Sequence, residues 1–383
     1  LVTGPAGVGK SVLLKKLREE LVRRGETVHV CAYTHAAARL IGGVTMAHLL
    51  HLDVKLHRSW IIVDEISLCP IDTLGQLSRI QFAGAKFVLF GDFEGQFEPM
   101  RDRWDVPYSL VPESVMIGDM CKHMHIHLTE YLRGPDHDLF NFYHGLYTTK
   151  ETLRESIIKA QAAYPIRVTS PFDFDMIMCI SHANRKICNA RLNEHKAIVA
   201  EASGKKTCLL EWQGEDIKGA TSQPQTMIIW EGIELVGCPR GTGKTCNIVQ
   251  GVVYTVVKLH DSEVVLQMRS EYCAKPKKDE NESATEKQDE TDDTEPPNQV
   301  TVAFEDVTLL LRLTHAMCYY TCQGRSFDRG RKTLMLDTDH PYFTRRALIV
   351  GMSRVRHGED LHIADSEYSA CVTGRNRKTF RRI

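Results

Sequence analysis

Three clusters of residues have the types and spacing to do chemistry on a phosphate chain. Gly4-Pro5-Ala6-Gly7-Val8-Gly9-Lys10-Ser11 fits G-x-x-x-x-G-K-[ST], the phosphate-binding loop pattern. Backbone N–H groups of such a loop, together with the positive end of the helix that follows, cradle an anion. Gly4, Gly7 and Gly9 supply the loop, Lys10 would reach the β- and γ-phosphates, and the Ser11 hydroxyl would bind Mg²⁺. Further on, the apolar run Trp60-Ile61-Ile62-Val63 delivers Asp64 and Glu65 side by side. An acid at the end of a strand behind a phosphate loop holds the Mg²⁺ that bridges the phosphates. Its neighbour can polarise the attacking water as a general base. A third stretch, Gly91-Asp92-Phe93-Glu94-Gly95-Gln96, offers a Gln that beside a γ-phosphate can sense it or orient water. Taken alone, that stretch also fits an ordinary loop with Gly and Pro punctuation.

These groups need a sheet to hold them. A short apolar run precedes Gly4, and a helical pattern follows, with Val12, Leu13, Leu14, Leu17 and Leu21 apolar. Thr27–Ala32 reads as a buried strand, followed by Tyr33-Thr34-His35 turning into a helix. Gly42 to His48 forms a small-residue turn, and Lys86–Phe90 a further strand. Strands alternating with helices predict a parallel sheet with right-handed crossovers, whose ligands sit at the carboxyl ends of the strands.

The second half repeats the alternation before its character changes. A helix over Asp138 to Leu146 is expected to open at Arg133, Asp175–Ile180 reads as a strand, and Ser181 caps a helix through Leu192. Between about 205 and 310, β-branched runs at Met227–Trp230, Val252–Leu259 and Glu263–Met268 suggest a small inserted β-barrel. Cys238 to Thr245 imitates a second phosphate loop but lacks its first Gly, and a strand-like stretch over Asn247–Val257 follows, so a hairpin turn is expected. Cys121, His123, His125 and His127 alternate as on one face of a strand; a metal site is conceivable there, and plain alternation is the blander reading. Residues 275–299 hold nine Asp/Glu and four Lys and read as a solvated, disordered loop.

Composition bounds the rest. The 383 residues are 43% hydrophobic and 25% charged, enough for two or three domains, with no apolar run able to span a bilayer. Twelve cysteines without C-x-x-C pairs suit reduced thiols in an intracellular setting. The chain opens inside a core strand without Met, as a segment of a longer protein would. Net charge is −1, but outside 275–299 the balance is slightly positive, and Arg375, Arg377, Lys378, Arg381 and Arg382 crowd the last nine residues. A mildly basic body permits a polyanionic partner without demanding one.

Taken in order, the motifs resemble those of superfamily 1 helicases, in the RecD-like and PIF-type branch. The phosphate loop, Thr34-His35 with Gly42-Gly43-Val44-Thr45, Val63-Asp64-Glu65-Ile66-Ser67 and Gly91-Asp92-x-x-Gly95-Gln96 look like motifs I, Ia/Ib, II and III. Leu128 to Arg133 looks like motif IV, Ala316 to Ser326 with Gln323-Gly324 like motif V, and Val350 to Arg356 like motif VI. The resemblance implies an α/β fold of two RecA-like P-loop domains with parallel sheets, plus a small β-barrel insert in the second. It divides the chain into a first domain over 1–118, a second over 119–204 and 308–383, and the insert over 205–307. It implies ATP and Mg²⁺ as cofactors, with Gly324 also at the nucleotide and Ser11 and Asp64 at the metal. Glu65 would be the base, Gln96 the link between γ-phosphate and strand, and Arg133 and Arg354 the arginines brought onto the γ-phosphate. Thr34, His35, Thr45, His48 and Gln323 would line the groove for single-stranded DNA, along which the motor moves 5′→3′ and opens duplex in replication, repair or recombination. Tyr320 stands where the family has His, Arg325 follows Gly324, Phe97-Glu98 replaces Leu-Pro in motif III, and Gly134 replaces a Gln. A viral-type RNA helicase and a nucleotide-gated clamp that does not unwind are the alternatives.

Overall fold

The computed structural model describes residues 1–51, 56–82, 84–99, 106–218, 222–239, 247–272, 298–323, 327 and 333–374. Its first part alternates strands and helices: β1 (Val2–Thr3), α1 (Lys10–Arg23), β2 (Val28–Ala32), α2 (His35–Leu40), β3 (Val44–Thr45), α3 (Met46–His51), β4 (Trp60–Asp64), α4 (Ile71–Phe82), β5 (Lys86–Gly91), α5 (Val115–Met120) and β6 (Ile126–His127). The six strands form one parallel sheet in the order β3-β2-β4-β5-β1-β6. Strand alternation sends Ile62 and Phe90 to one face with Leu14 and Leu21 of α1, and Ile61, Val63 and Leu89 to the other with Leu74 and Leu77 of α4. Each such fully buried side chain contributes about 1.5–3 kcal/mol through the water it sheds. With both faces covered, the sheet leaves its carboxyl ends as the place for chemistry.

The sequence places the end of this domain at 118, and β6 corrects that boundary. Ile126 N–H donates to the Leu1 carbonyl and Leu128 N–H to that of Thr3, so the first sheet continues past 118. The Cys/His alternation also resolves differently. Cys121 is buried in the core, and His123 turns back with a left-handed backbone onto Asp119 at 3.5 Å. His125 Nε2 and His127 Nδ1 bracket the Thr3 hydroxyl at 2.6 and 3.0 Å.

The second sheet follows α6 (His137–Thr148) and α7 (Leu153–Ala163). It opens with β7 (Met176–Cys179), then α8 (His182–Ala202) leads into the insert: β8 (Thr207–Leu210), β9 (Met227–Trp230), β10 (Glu234–Gly237), β11 (Val253–Leu259), β12 (Glu263–Met268), β13 (Gln299–Ala303), α9 (Phe304–Leu310) and β14 (Leu311–Leu313). The chain returns through β15 (Ala316–Cys318), β16 (Leu334–Leu336), α10 (Arg345–Met352), β17 (Leu361–Ile363) and α11 (Ser366–Thr373). Strands β15-β7-β16-β17 form a second parallel sheet, so two parallel sheets and an inserted antiparallel one bear out the α/β class.

Several expected bounds move. Arg133 precedes α6, whose N-cap is Asp136, rather than opening the helix. Ser181 does cap α8, but the helix runs 21 residues, well past Leu192. Its first half packs Cys188 and Leu192 into the second sheet's core, and its last turns pack Ala197 and Ala200 into the insert. Asn189 clips it to Ala316 of β15 (2.7 and 3.1 Å), and Asn193 clips it to Ile228 of β9 (2.7 and 2.8 Å).

The expected small barrel is a five-stranded antiparallel sheet, β13-β12-β11-β10-β14, beside the β8–β9 pair. Its last strand lies past residue 307, so the insert extends to Leu313. Asn247–Val252 is not strand; pairing begins at Val253. Residues 240–245 of the loop-like motif, all of 275–297 in the acidic stretch, and the basic end 375–383 lie outside the described residues. No helix among the described residues is long and apolar enough to cross a membrane.

Candidate nucleotide site and strand groove

The phosphate loop leaves β1 at Thr3 and enters α1 at Lys10. Gly4, Gly7 and Gly9 take φ of +148°, +92° and +84°, open to glycine and strained for other residues. A Cβ on Gly7 would stand 2.7 Å from the Tyr131 ring, and one on Gly4 2.3 Å from the Leu128 carbonyl oxygen. The loop is thus covered by the segment that resembles motif IV, and the Leu132 N–H donates to the Gly7 carbonyl at 2.9 Å. Lys10 Nζ donates to the carbonyls of Gly4 (2.7 Å) and Pro5 (2.9 Å). Burial lowers its pKa; the charges of Asp92, Glu65 and Asp64 oppose that shift, and Arg133 adds to it.

Strand β4 brings its carboxylates to the same place. Ser11 Oγ donates to Asp64 Oδ2 at 3.4 Å, and Asp64 Oδ1 accepts the Glu65 N–H at 3.0 Å. Burial pushes the Asp64 carboxyl up to about 7, and the neighbouring Glu65 charge pushes the same way. Glu65 sits with φ +54°, a region non-glycine residues rarely occupy. Its Oε2 is buried without a hydrogen-bond partner among the described residues. The Ser11 hydroxyl and the buried Asp64 carboxylate are hard-oxygen donors of the kind Mg²⁺ takes. The residues present therefore fit that ion.

The loop after β5 is tied to the turn that follows β4 by a closed set of bonds. Asp92 Oδ1 accepts the Gly95 N–H at 2.8 Å, and the Asp92 carbonyl accepts the Gln96 N–H at 3.3 Å. Ser67 donates its hydroxyl to the Gln96 side-chain carbonyl and accepts the Asp92 N–H at 3.4 Å. Gln96 is buried, and this described bond points its carbonyl to Ser67. From the second sheet, Arg346 of α10 bonds Glu98 at 2.6 Å and the Glu94 carbonyl at 3.2 Å while lying over the Tyr108 ring.

The two arginines behave differently. Arg133 lies against Gly7, is felt by Lys10, and donates to the Ser353 carbonyl. Arg354 is buried, and its described bonds go to Val350 O (2.9 Å), Cys322 O (3.3 Å) and Ser353 Oγ (2.8 Å), all in its own domain. Gln323 is also buried, with both side-chain polar atoms unpartnered among the described residues. Gly324 lies outside the described residues.

Four of the five candidate groove residues, Thr34, His35, Thr45 and His48, gather at the carboxyl ends of paired β2 and β3, while Gln323 lies in the second half after β15. Thr34 Oγ1 caps α2 by accepting the Ala37 N–H at 3.2 Å, and Thr45 Oγ1 accepts the His48 N–H at 3.2 Å. His35 and His48 are exposed beside them. Reasoning from sequence missed Tyr143, Tyr147, Asp92 and Arg346. The four-residue spacing of the tyrosines was a usable signal, because it puts both on one helix face.

Residues 1–100 match the family model described as an AAA domain. The ATP-dependent DNA helicase PIF1 of Trypanosoma brucei brucei (strain 927/4 GUTat10.1) is 30% identical over 111 residues, 24% of this chain. The match spans only 12% of that relative's length. In fold the chain is similar to the Pif1 helicase from Candida albicans, with a TM-score of 0.60 at 17% identity over 98% of this chain and 93% of that one. It is similar also to Bacteroides Pif1 bound to ssDNA, with a TM-score of 0.58 at 18% identity over 96% and 89%. A third likeness is to Bacteroides Pif1 in complex with ADP-AlF3 and ssDNA, with a TM-score of 0.57 at 18% identity over 95% and 88%. The chain has the fold of these Pif1 structures.

Proposed function

We propose that the chain is the motor of an ATP-dependent DNA helicase of the PIF type, moving 5′→3′ on single-stranded DNA and opening duplex ahead of it. The observation that carries this reading is the meeting of Lys10, Ser11, Asp64, Glu65 and Arg133 at the carboxyl end of the first sheet, against the second domain. The ADP-AlF3 and ssDNA in the names of the similar structures support the same ligands here. The domains we propose run to about residue 127, then through the second sheet with an insert closing at Leu313.

In this mechanism the loop amides and Lys10 bind the β- and γ-phosphates. Mg²⁺, held by Ser11 and Asp64, would neutralise phosphate charge. Glu65 takes a proton from the attacking water, and its strained backbone fixes where that carboxylate points. Arg133, anchored on the second domain, brings a cation to the transferring phosphoryl group, so turnover depends on how the two domains meet. Gln96, bonded to Ser67 beside the base, links that state to the loop below it. Thr34, His35, Thr45, His48 and Gln323 would hold the strand by sequence-independent contacts to its backbone and bases.

The deciding measurement is steady-state ATPase with and without single-stranded DNA, with Lys10→Ala as the blank, followed by strand displacement on 5′- and 3′-tailed duplexes. Lys10-dependent, DNA-stimulated turnover and opening from the 5′ tail are expected. Turnover stimulated by RNA and indifferent to DNA would overturn the DNA assignment, and turnover without displacement would make the chain a clamp.

A further inference from the structure

We infer that Tyr143 and Tyr147 are positioning residues that fasten the phosphate loop and the Asp92 loop to the second domain. The inference rests on the ATPase reading above and names two of the groups that make turnover answer to domain placement. The tyrosines lie one turn apart on α6, hence on one face of it. That helix belongs to the second domain's core, where Leu139, Phe140, Tyr143 and Leu146 pack with Leu334, Leu336 and Leu348. Both hydroxyls nevertheless leave that core for the first domain. Tyr143 donates to the Ala6 carbonyl, inside the phosphate loop, at 2.8 Å. Tyr147 donates to Asp92 Oδ2, also at 2.8 Å.

The second bond reaches far because of what Asp92 holds. Its other carboxylate oxygen accepts the Gly95 N–H, its carbonyl accepts the Gln96 N–H, and Gln96 accepts from Ser67, two residues beyond Glu65. Asp92 also exerts the largest of the carboxylate effects on the Lys10 charge. One phenol therefore orients a carboxylate whose charge acts on Lys10 and, through it, the loop that carries Gln96. The fit is close: a Cβ on Gly95 would stand 1.9 Å from the Tyr147 oxygen, so a glycine is needed there. Burial raises both phenols well above the ordinary tyrosine range, with the Asp92 charge adding to the shift at Tyr147, so each remains a donor at neutral pH. A carbonyl and a carboxylate can each accept but not donate, so both bonds have a fixed sense.

Tyr143→Phe and Tyr147→Phe test this, because each keeps the packed ring and removes only the hydroxyl. ATPase would be measured with and without single-stranded DNA beside the parent chain and Lys10→Ala, and thermal melts would give the folded fraction. For each variant we expect a Tm within a few degrees of the parent. The kcat per folded molecule falls on the order of tenfold, as for a lost hydrogen bond to a charged or buried acceptor, while the KM for ATP stays within about twofold. A purely structural role would lower Tm and leave kcat per folded molecule at the parent value; that result overturns the inference. A parent active through Lys10 with unaffected Phe variants defeats this inference alone, whereas a parent with no Lys10-dependent turnover defeats the ATPase reading and this inference with it.

Discussion

The guanidinium of Arg133 donates to the backbone carbonyl of Ser353, the residue directly before Arg354, across 220 positions of chain. One arginine at the phosphate loop is thereby anchored to the turn that carries the other. Their described surroundings set different consequences. Arg133→Ala should keep the fold and lower kcat by on the order of 10²-fold, as for loss of one transition-state donor. Arg354→Ala should instead lower the melting temperature, because each buried carbonyl it abandons costs about 1–3 kcal/mol. Parallel kinetics and melts on the two variants would separate these outcomes, and a stable, inactive Arg354→Ala would show that its catalytic role dominates.

Lys10→Ala and Glu65→Gln should part ways at binding. The first removes the cation that meets the phosphates and should abolish nucleotide binding and turnover together. The second preserves the side chain's shape and should bind ATP normally while turning over on the order of 10²-fold slower or less. Titration with a fluorescent nucleotide, set beside the ATPase rate, reads both. Normal turnover in Glu65→Gln would remove it as the base.

The Asp64 carboxyl, pushed up to about 7 in the fold from an ordinary value near 4, sets a pH dependence with a definite sign. Between those values the folded state holds a proton that the unfolded chain has released. This group's contribution is therefore present at low pH and is lost as pH rises from about 4 to 7. Without nucleotide, the parent should lose more thermal stability over that window than Asp64→Asn. Melts of the nucleotide-free proteins from pH 4 to 8 check this, and identical melting profiles for parent and variant would refute it.

At the candidate groove, Thr34 and His48 should respond differently. Thr34 caps α2 and is a candidate contact to the strand, so Thr34→Ala should cost about 1 kcal/mol of stability along with strand affinity. His48 is exposed, and His48→Ala should weaken single-strand binding several-fold at unchanged Tm. Fluorescence anisotropy on a labelled oligonucleotide, paired with melts, would show it. Unchanged affinity in both would move the strand elsewhere.

What could be read from sequence was local. A phosphate loop needs glycines with positive φ, and Gly4, Gly7 and Gly9 declare them; Asp64 and Glu65 follow four apolar residues, which fixes their strand end. Partners chosen by the meeting of distant surfaces could not be read. A phenol at 147 does not announce that it will meet Asp92 rather than water. Two residues at 126 and 127 join the first sheet only once β1 lies beside them. The length of α8 was hidden because its apolar face changes partners midway, from the second sheet to the insert, and the helical pattern breaks where it does.

That helix has a mechanical meaning. Twenty-one residues at 1.5 Å each make a rod about 30 Å long, pinned by Asn189 to β15 of the second sheet and by Asn193 to β9 of the β8–β9 pair. The two pins are four residues apart, so the rod cannot pivot between them without breaking one. A tilt of about 5° at the Ser181 end would carry the insert end sideways by roughly 2–3 Å. The β8–β9 pair is therefore carried with the second domain as the far end of a lever, so a small rotation of the helix reaches it magnified.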